Sequence, residues 1–241
     1  MRRSTILLAA FLATISMSGC AGSPAPPAGS SSTTPALDAC AAALAPGPEG
    51  DERDRSIPRL QRQVLDALRS REALERLGYA YVARARVSND PGDYKLAEKT
   101  AECLETRTPG DNGALLLKGH VLHQLHRFAE AEGIARTLVS RRTYVLDYGL
   151  LGDAVMEQGR LDEAAAAYQK MLDLKPFYQS YTRAAHVRWL KGDLVGAIEA
   201  MRMAIAAASP RDPESSAWAW TRLGVFELRS SARYIRAWIA A

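Results

Sequence analysis

The chain has 241 residues, 47% hydrophobic and 24% charged, enough apolar material to bury a substantial core, which excludes wholesale disorder. Basic residues number 31 against 27 acidic ones, a formal charge of +4, and no basic run is interleaved with stackable aromatics, so nucleic acid is not an expected partner. G-x-x-x-x-G-K-[ST], G-x-G-x-x-G, G-x-S-x-G, H-E-x-x-H and C-x2-C are absent, which points away from an enzyme, a cofactor and a small-molecule substrate.

Met1-Arg2-Arg3 is followed by an apolar stretch, ILLAAFLATI at 6–15, and a small-residue exit at 16–19, the layout of a secretory leader. Ten apolar residues cannot span a bilayer. Met17-Ser18-Gly19-Cys20 resembles the lipobox of bacterial lipoproteins, with Met17 in place of the usual leucine. The resemblance implies that residues 1–19 are removed and Cys20 is lipidated. Ala21 stands where an Asp would mark inner-membrane retention, so the expected place is the outer membrane, facing the periplasm. Without Arg2 and Arg3 the formal balance is +2.

Residues 20–55, rich in Ala, Pro, Ser and Gly, read as a disordered tether carrying Cys40. Residues 37–44 could form a short helical turn ended by Pro46 and Pro48. An N-terminal helix is predicted over 56–70, where Ile57, Leu60, Val64 and Leu68 fall at helical spacing.

From residue 71 the chain alternates amphipathic helices with turns, and no strand pattern appears. Tyr148-x2-Leu151-Gly152-x2-Val155, then Gly159 to Ala164, Tyr168 and Pro176, resembles the tetratricopeptide repeat. The same template fits Leu77-Gly78-x2-Tyr81 with Ala97, Gly119 with Phe128 and Ala131, Ala185 with Ala197, and Trp220-x2-Leu223-Gly224. The small residue of each first helix recurs at 78, 119, 152, 185 and 224, and 12 residues separate it from the second-helix alanine in three units. In the first unit the stretch 82–90 holds seven extra residues, which predict a longer first helix. The expected fold is all-α, a right-handed α-solenoid with units near 71–110, 111–143, 144–177 and 178–212 and an incomplete fifth at 214–241. There Ser230-Ser231-Ala232 stands where a turn and second helix should begin, so 233–241 reads either as a terse cap or as part of a shortened array.

The resemblance implies a scaffold that binds protein or peptide partners through a concave groove lined by first helices. Register places Tyr79, His120, Asp153 and His186 in one row and Val82, His123, Met156 and Trp189 in a parallel one. The surface is mixed, unlike the basic clamp for a C-terminal carboxylate, and Tyr79, Met156 and Trp189 are the expected anchors. Trp189 could instead tuck between helices as core. The alternative function is metal binding or delivery by His120, His123 and His186, although H-x2-H is not the i, i+4 pair of helical zinc sites. Cys40 and Cys103 either form a disulfide or remain two thiols. Asp162, Glu163, Glu98 and Glu102 read as helix-start or solvated residues rather than acid/base catalysts.

Overall fold

A computed structural model describes residues 38–46, 56–66 and 70–239. The expected leader, Cys20 and most of the tether lie outside the described residues. Eleven helices and no strand occur among the described residues: α1 (Ala39–Leu44), α2 (Ser56–Leu65), α3 (Ser70–Ser88), α4 (Pro91–Arg107), α5 (Asn112–Gln124), α6 (Phe128–Arg141), α7 (Val145–Glu157), α8 (Leu161–Leu174), α9 (Tyr178–Leu190), α10 (Leu194–Ala206) and α11 (Pro213–Ile239).

Each helix from α3 to α11 packs on its chain neighbours, while α3, α5, α7 and α9 also touch in sequence along one side. That is an α-solenoid of helical pairs, α3/α4 through α9/α10, followed by the first helix of a fifth unit. The extra residues of the first unit lengthen α3 to 19 residues, against 13 for α5, α7 and α9.

Caps and turns explain the boundaries. Asp90, Asp111 and Asp193 accept hydrogen bonds from the backbone N–H of Gly92, Ala114 and Gly196, at 2.8, 2.9 and 2.9 Å, satisfying orphan donors at helix starts. His126, Gly159 and Gly192 share a left-handed turn position, with φ of 60°, 80° and 85°, and after each the next N–H returns to the carbonyl five residues back. His126 takes there a conformation that favours glycine.

The small positions are core. Ala97, Ala131, Ala164 and Ala197 are fully buried, and a Cβ on Gly152 would come within 2.6 Å of Tyr168 Cδ1 on the paired helix. Gly78 and Gly119 face a different neighbour from that of Gly152. Their nearest neighbours are Leu117 and Leu150, side chains of the next unit's first helix, so these glycines mainly set the spacing between units.

Two expectations are corrected. Residues 39–44 are not bare tether: α1 packs on α4, Cys40 is joined to Cys103 by a disulfide, and the Tyr81 hydroxyl donates to the Ala43 carbonyl at 2.8 Å. The amide of Gln61 on α2 donates to the Ala45 carbonyl at 2.8 Å, so α1 and α2 together cover the apolar face of the first unit. At the other end, no turn forms at Ser230-Ser231-Ala232. The chain continues as one 27-residue helix because it holds no glycine or proline there to stop it, and 233–239 is no separate cap.

Candidate partner-binding groove

A concave cavity of about 580 Å³ lies among α7, α9 and α11, with Arg86 of the lengthened α3 reaching its edge. This is the size of a site that accepts a ligand or a few side chains of a partner. Of the row residues expected from the sequence, Asp153, Met156 and His186 line it.

Asp153 is held in place. Arg183 donates from Nε to Oδ1 at 2.8 Å and from a terminal nitrogen to Oδ2 at 2.7 Å, and the buried Tyr168 hydroxyl donates to Oδ1 at 2.8 Å. Burial alone would push the Asp153 pKa up. The Arg183 charge and these hydrogen bonds reverse that and hold the carboxyl below its usual range. Tyr168, buried against the carboxylate, is pushed far above its ordinary value.

Arg222 is the contrasting cation. A terminal nitrogen lies 3.0 Å from His186 Nδ1, its Nε is buried without a partner, and among the described residues no carboxylate pairs with it. Rings of Trp189, Phe226 and Trp218 stand 5.4, 5.5 and 5.8 Å from the guanidinium carbon. Burial, and then the Arg222 charge, push the His186 pKa down, so the ring is a neutral acceptor toward Arg222. The other charges at the cavity are matched: Arg183 by Asp153, and Arg86 by Glu214 at 4.0 Å. Arg222 is left as an unneutralised cation among aromatic rings, beside the polar groups of Gln179, Thr182 and Ser215.

The remaining predicted residues lie elsewhere. Val82 is 4% exposed in the core of the first unit and offers no surface to a partner, which corrects its place in the groove. Tyr79 and His120 rest ring to ring at 6.0 Å; burial raises the Tyr79 pKa and lowers that of His120 to about 4. His123 packs edge-on to Phe128 at 5.4 Å, with Nε2 buried and unpartnered. Trp189 is stacked between His186 and Phe226, at 5.6 and 5.8 Å, half-buried against the core of the fourth unit. The histidines therefore do not converge, and no cluster of three or more His, Cys, Asp or Glu able to hold a metal occurs among the described residues. The acids set aside from catalysis end in surface ion pairs: Glu98 with Lys95, Glu102 with Lys99, Glu163 with Arg136 and Arg160, Asp162 with Lys191.

Sequence reasoning missed Arg183 and Arg222, yet a signal was present. Both stand two residues before the small position of their helix, where Leu117 and Leu150 stand in earlier units and are buried. An arginine at a position of core leucines marks where the solenoid interior becomes polar.

Residues 148–178 match the tetratricopeptide repeat family model. The fold is similar to that of TTC0263, a thermophilic TPR protein of Thermus thermophilus, with 20% identity over 64% of this chain and 83% of that one and a TM-score of 0.53. It is also similar to a chain of the APC/C hetero-tetramer Cut9-Hcn1, with 18% identity over 73% of this chain and 34% of that one and a TM-score of 0.59. Comparison with curated proteins finds no match in sequence. The chain is a helical solenoid of the tetratricopeptide-repeat fold, with a tetratricopeptide repeat at residues 148–178.

Proposed function

We propose that this chain is a lipid-anchored scaffold of the bacterial cell envelope. In this reading it is held on the periplasmic face of the outer membrane through Cys20, and it binds a protein segment in the concave cavity by recognition rather than catalysis. The observation that carries the binding part is the unneutralised Arg222. A guanidinium flanked by Trp189, Trp218 and Phe226 and lacking a carboxylate favours a partner that brings an acidic side chain, with Trp218, 45% exposed, giving apolar contact beside it. The Cys40–Cys103 disulfide suits an oxidising compartment, which agrees with the leader and the lipobox-like Cys20.

Two measurements test this. Photo-crosslinking from position 218 in intact cells should trap a protein partner, and Arg222→Ala should abolish the adduct. Cys20→Ser should move the chain out of the membrane fraction. A position 218 that traps nothing sinks the groove reading, and an unchanged fractionation sinks the anchor.

A further inference from the structure

We propose that α11 is a dimerisation helix, pairing antiparallel with α11 of a second copy of this chain through Trp220, Gly224 and Leu228.

The argument begins from repeat register. Gly224 is the small residue of a fifth first helix, equivalent to Gly152 and Ala185. Gly152 is pressed against Tyr168 of its paired helix and Ala185 is fully buried, but nothing lies within 4 Å of where a Gly224 Cβ would be. Thr182 is 8% exposed, whereas its equivalent Thr221 is exposed. Trp220 is 60% and Leu228 72% exposed. The face that receives a second helix in the earlier units is built here, and no described residue covers it.

A groove of about 420 Å³ runs along this face between α10 and α11, lined by Ile205, Ala206, Trp220, Leu223 and Gly224, with the Arg202–Glu227 ion pair at its rim.

Self-complementarity identifies the occupant. Trp220 and Gly224 sit one turn apart on the same stripe, a bulky knob beside a gap. An antiparallel copy sets Trp220 of the partner subunit over Gly224 and, by the two-fold axis, Trp220 over Gly224 of the partner subunit. Both gaps are filled by one isologous contact. The exposed positions of the stripe, 217, 220, 221, 224, 225, 228 and 231, are Ala, Trp, Thr, Gly, Val, Leu and Ser. None is charged, so the two copies meet without like-charge repulsion, and nothing on the stripe selects an oppositely charged protein. The helix also outreaches its neighbour: 27 residues make about 40 Å, against about 20 Å for the 13 residues of α10. No residue of the stripe lines the cavity proposed to receive a partner segment, which takes Trp218 and Arg222 from α11 instead.

Sedimentation equilibrium of the full chain, in density-matched detergent with free thiols alkylated, reads the outcome. Wild type should follow a monomer–dimer equilibrium in the micromolar range. Gly224→Glu should weaken dimerisation by about 30-fold or more, the scale of an interface hot spot. Melted well below the micromolar range, where wild type is also monomeric, it should be no less stable than wild type, because the site is open and a helical Gly is replaced by a better helix former. Should that variant fail to fold, Leu228→Lys serves in its place. A wild type that stays monomeric overturns the proposal, as does a dimer that survives the substitution.

Discussion

Arg183 on α9 grips Asp153 on α7 with both arms of its guanidinium, at 2.8 and 2.7 Å, and so joins the third and fourth units across the wall of the groove. The pair is 27% and 16% exposed at its side chains, sheltered enough that its members depend on each other. Leaving one charge without the other costs about 3 to 5 kcal/mol. Arg183→Leu and Asp153→Ala should each approach that loss in urea melts. Arg183→Leu with Asp153→Leu should recover much of it, since Leu is what two earlier units carry at the Arg183 position. Additive losses in the double variant would show that the pair is not coupled.

Acid sensitivity follows from His120 and Asp153. The His120 pKa falls to about 4 in the fold, against about 6.5 in an unfolded chain. Between these values the unfolded state binds the proton and the folded state does not, so stability drops as pH falls from about 6.5 toward 4, by at most about 1.4 kcal/mol per pH unit. Asp153, whose pKa is lowered, supplies stability that is complete above the ordinary carboxylate range and is lost as pH falls below it. His120→Phe should reduce the slope of the thermal melting profile between pH 4 and 6.5, leaving the share of His186, whose pKa is also lowered, and the lower limb in place. An unaltered slope there would remove His120 as its source.

The glycines of the array separate by what they face. Gly152→Val pushes a side chain into the ring of buried Tyr168 and should destabilise by about 1 to 3 kcal/mol. Gly133→Ala, on exposed helix with nothing within 4 Å, should raise stability by up to about 1 kcal/mol. Chemical denaturation of the two variants reads the contrast, and equal melts would refute the assigned packing.

Cys40 and Cys103 close a loop of 63 residues. Loop-closure entropy gives such a link about 4 kcal/mol of stabilisation. Cys103→Ser should lower the melting temperature and release α1 from α4, read as faster hydrogen exchange and proteolysis at residues 39–45. Unchanged protection there would mean that the Tyr81 and Gln61 hydrogen bonds hold α1 without the disulfide.

The two tryptophans near Arg222 should part company. Trp189 is half-buried, stacked on Phe226 against the core of the fourth unit, and Trp189→Ala should cost about 3 kcal/mol, the low end for loss of a core aromatic. Trp218 is 45% exposed, and its loss should leave the melt nearly unchanged while weakening partner capture. A tolerated Trp189→Ala would restore that residue as a groove anchor.

The helical solenoid was legible in the sequence because its requirements are local. Close helix approach demands a small residue at each contact, and Gly119–Ala131, Gly152–Ala164 and Ala185–Ala197 repeat that demand at one spacing. The longer first helix was legible too, from the surplus at 82–90. Asp153, Met156 and His186, set side by side by register, do line one cavity.

Which neighbour each side chain meets was decided only in three dimensions. Gly78 and Gly152 look alike in the sequence, yet one faces the next unit and the other its own paired helix. Val82 and Met156 share a register position, but α1 and α2 bury the first unit's core around Val82 while Met156 opens on the cavity. Trp189 needed Phe226 and Arg222, residues more than thirty positions away, before core could be told from groove. Repeat spacing specifies the helices and their order, since each contact within a unit is short in sequence. Superhelical stacking sets the charge balance of the groove and the fate of its aromatics, because those contacts join units that only the folded solenoid brings together.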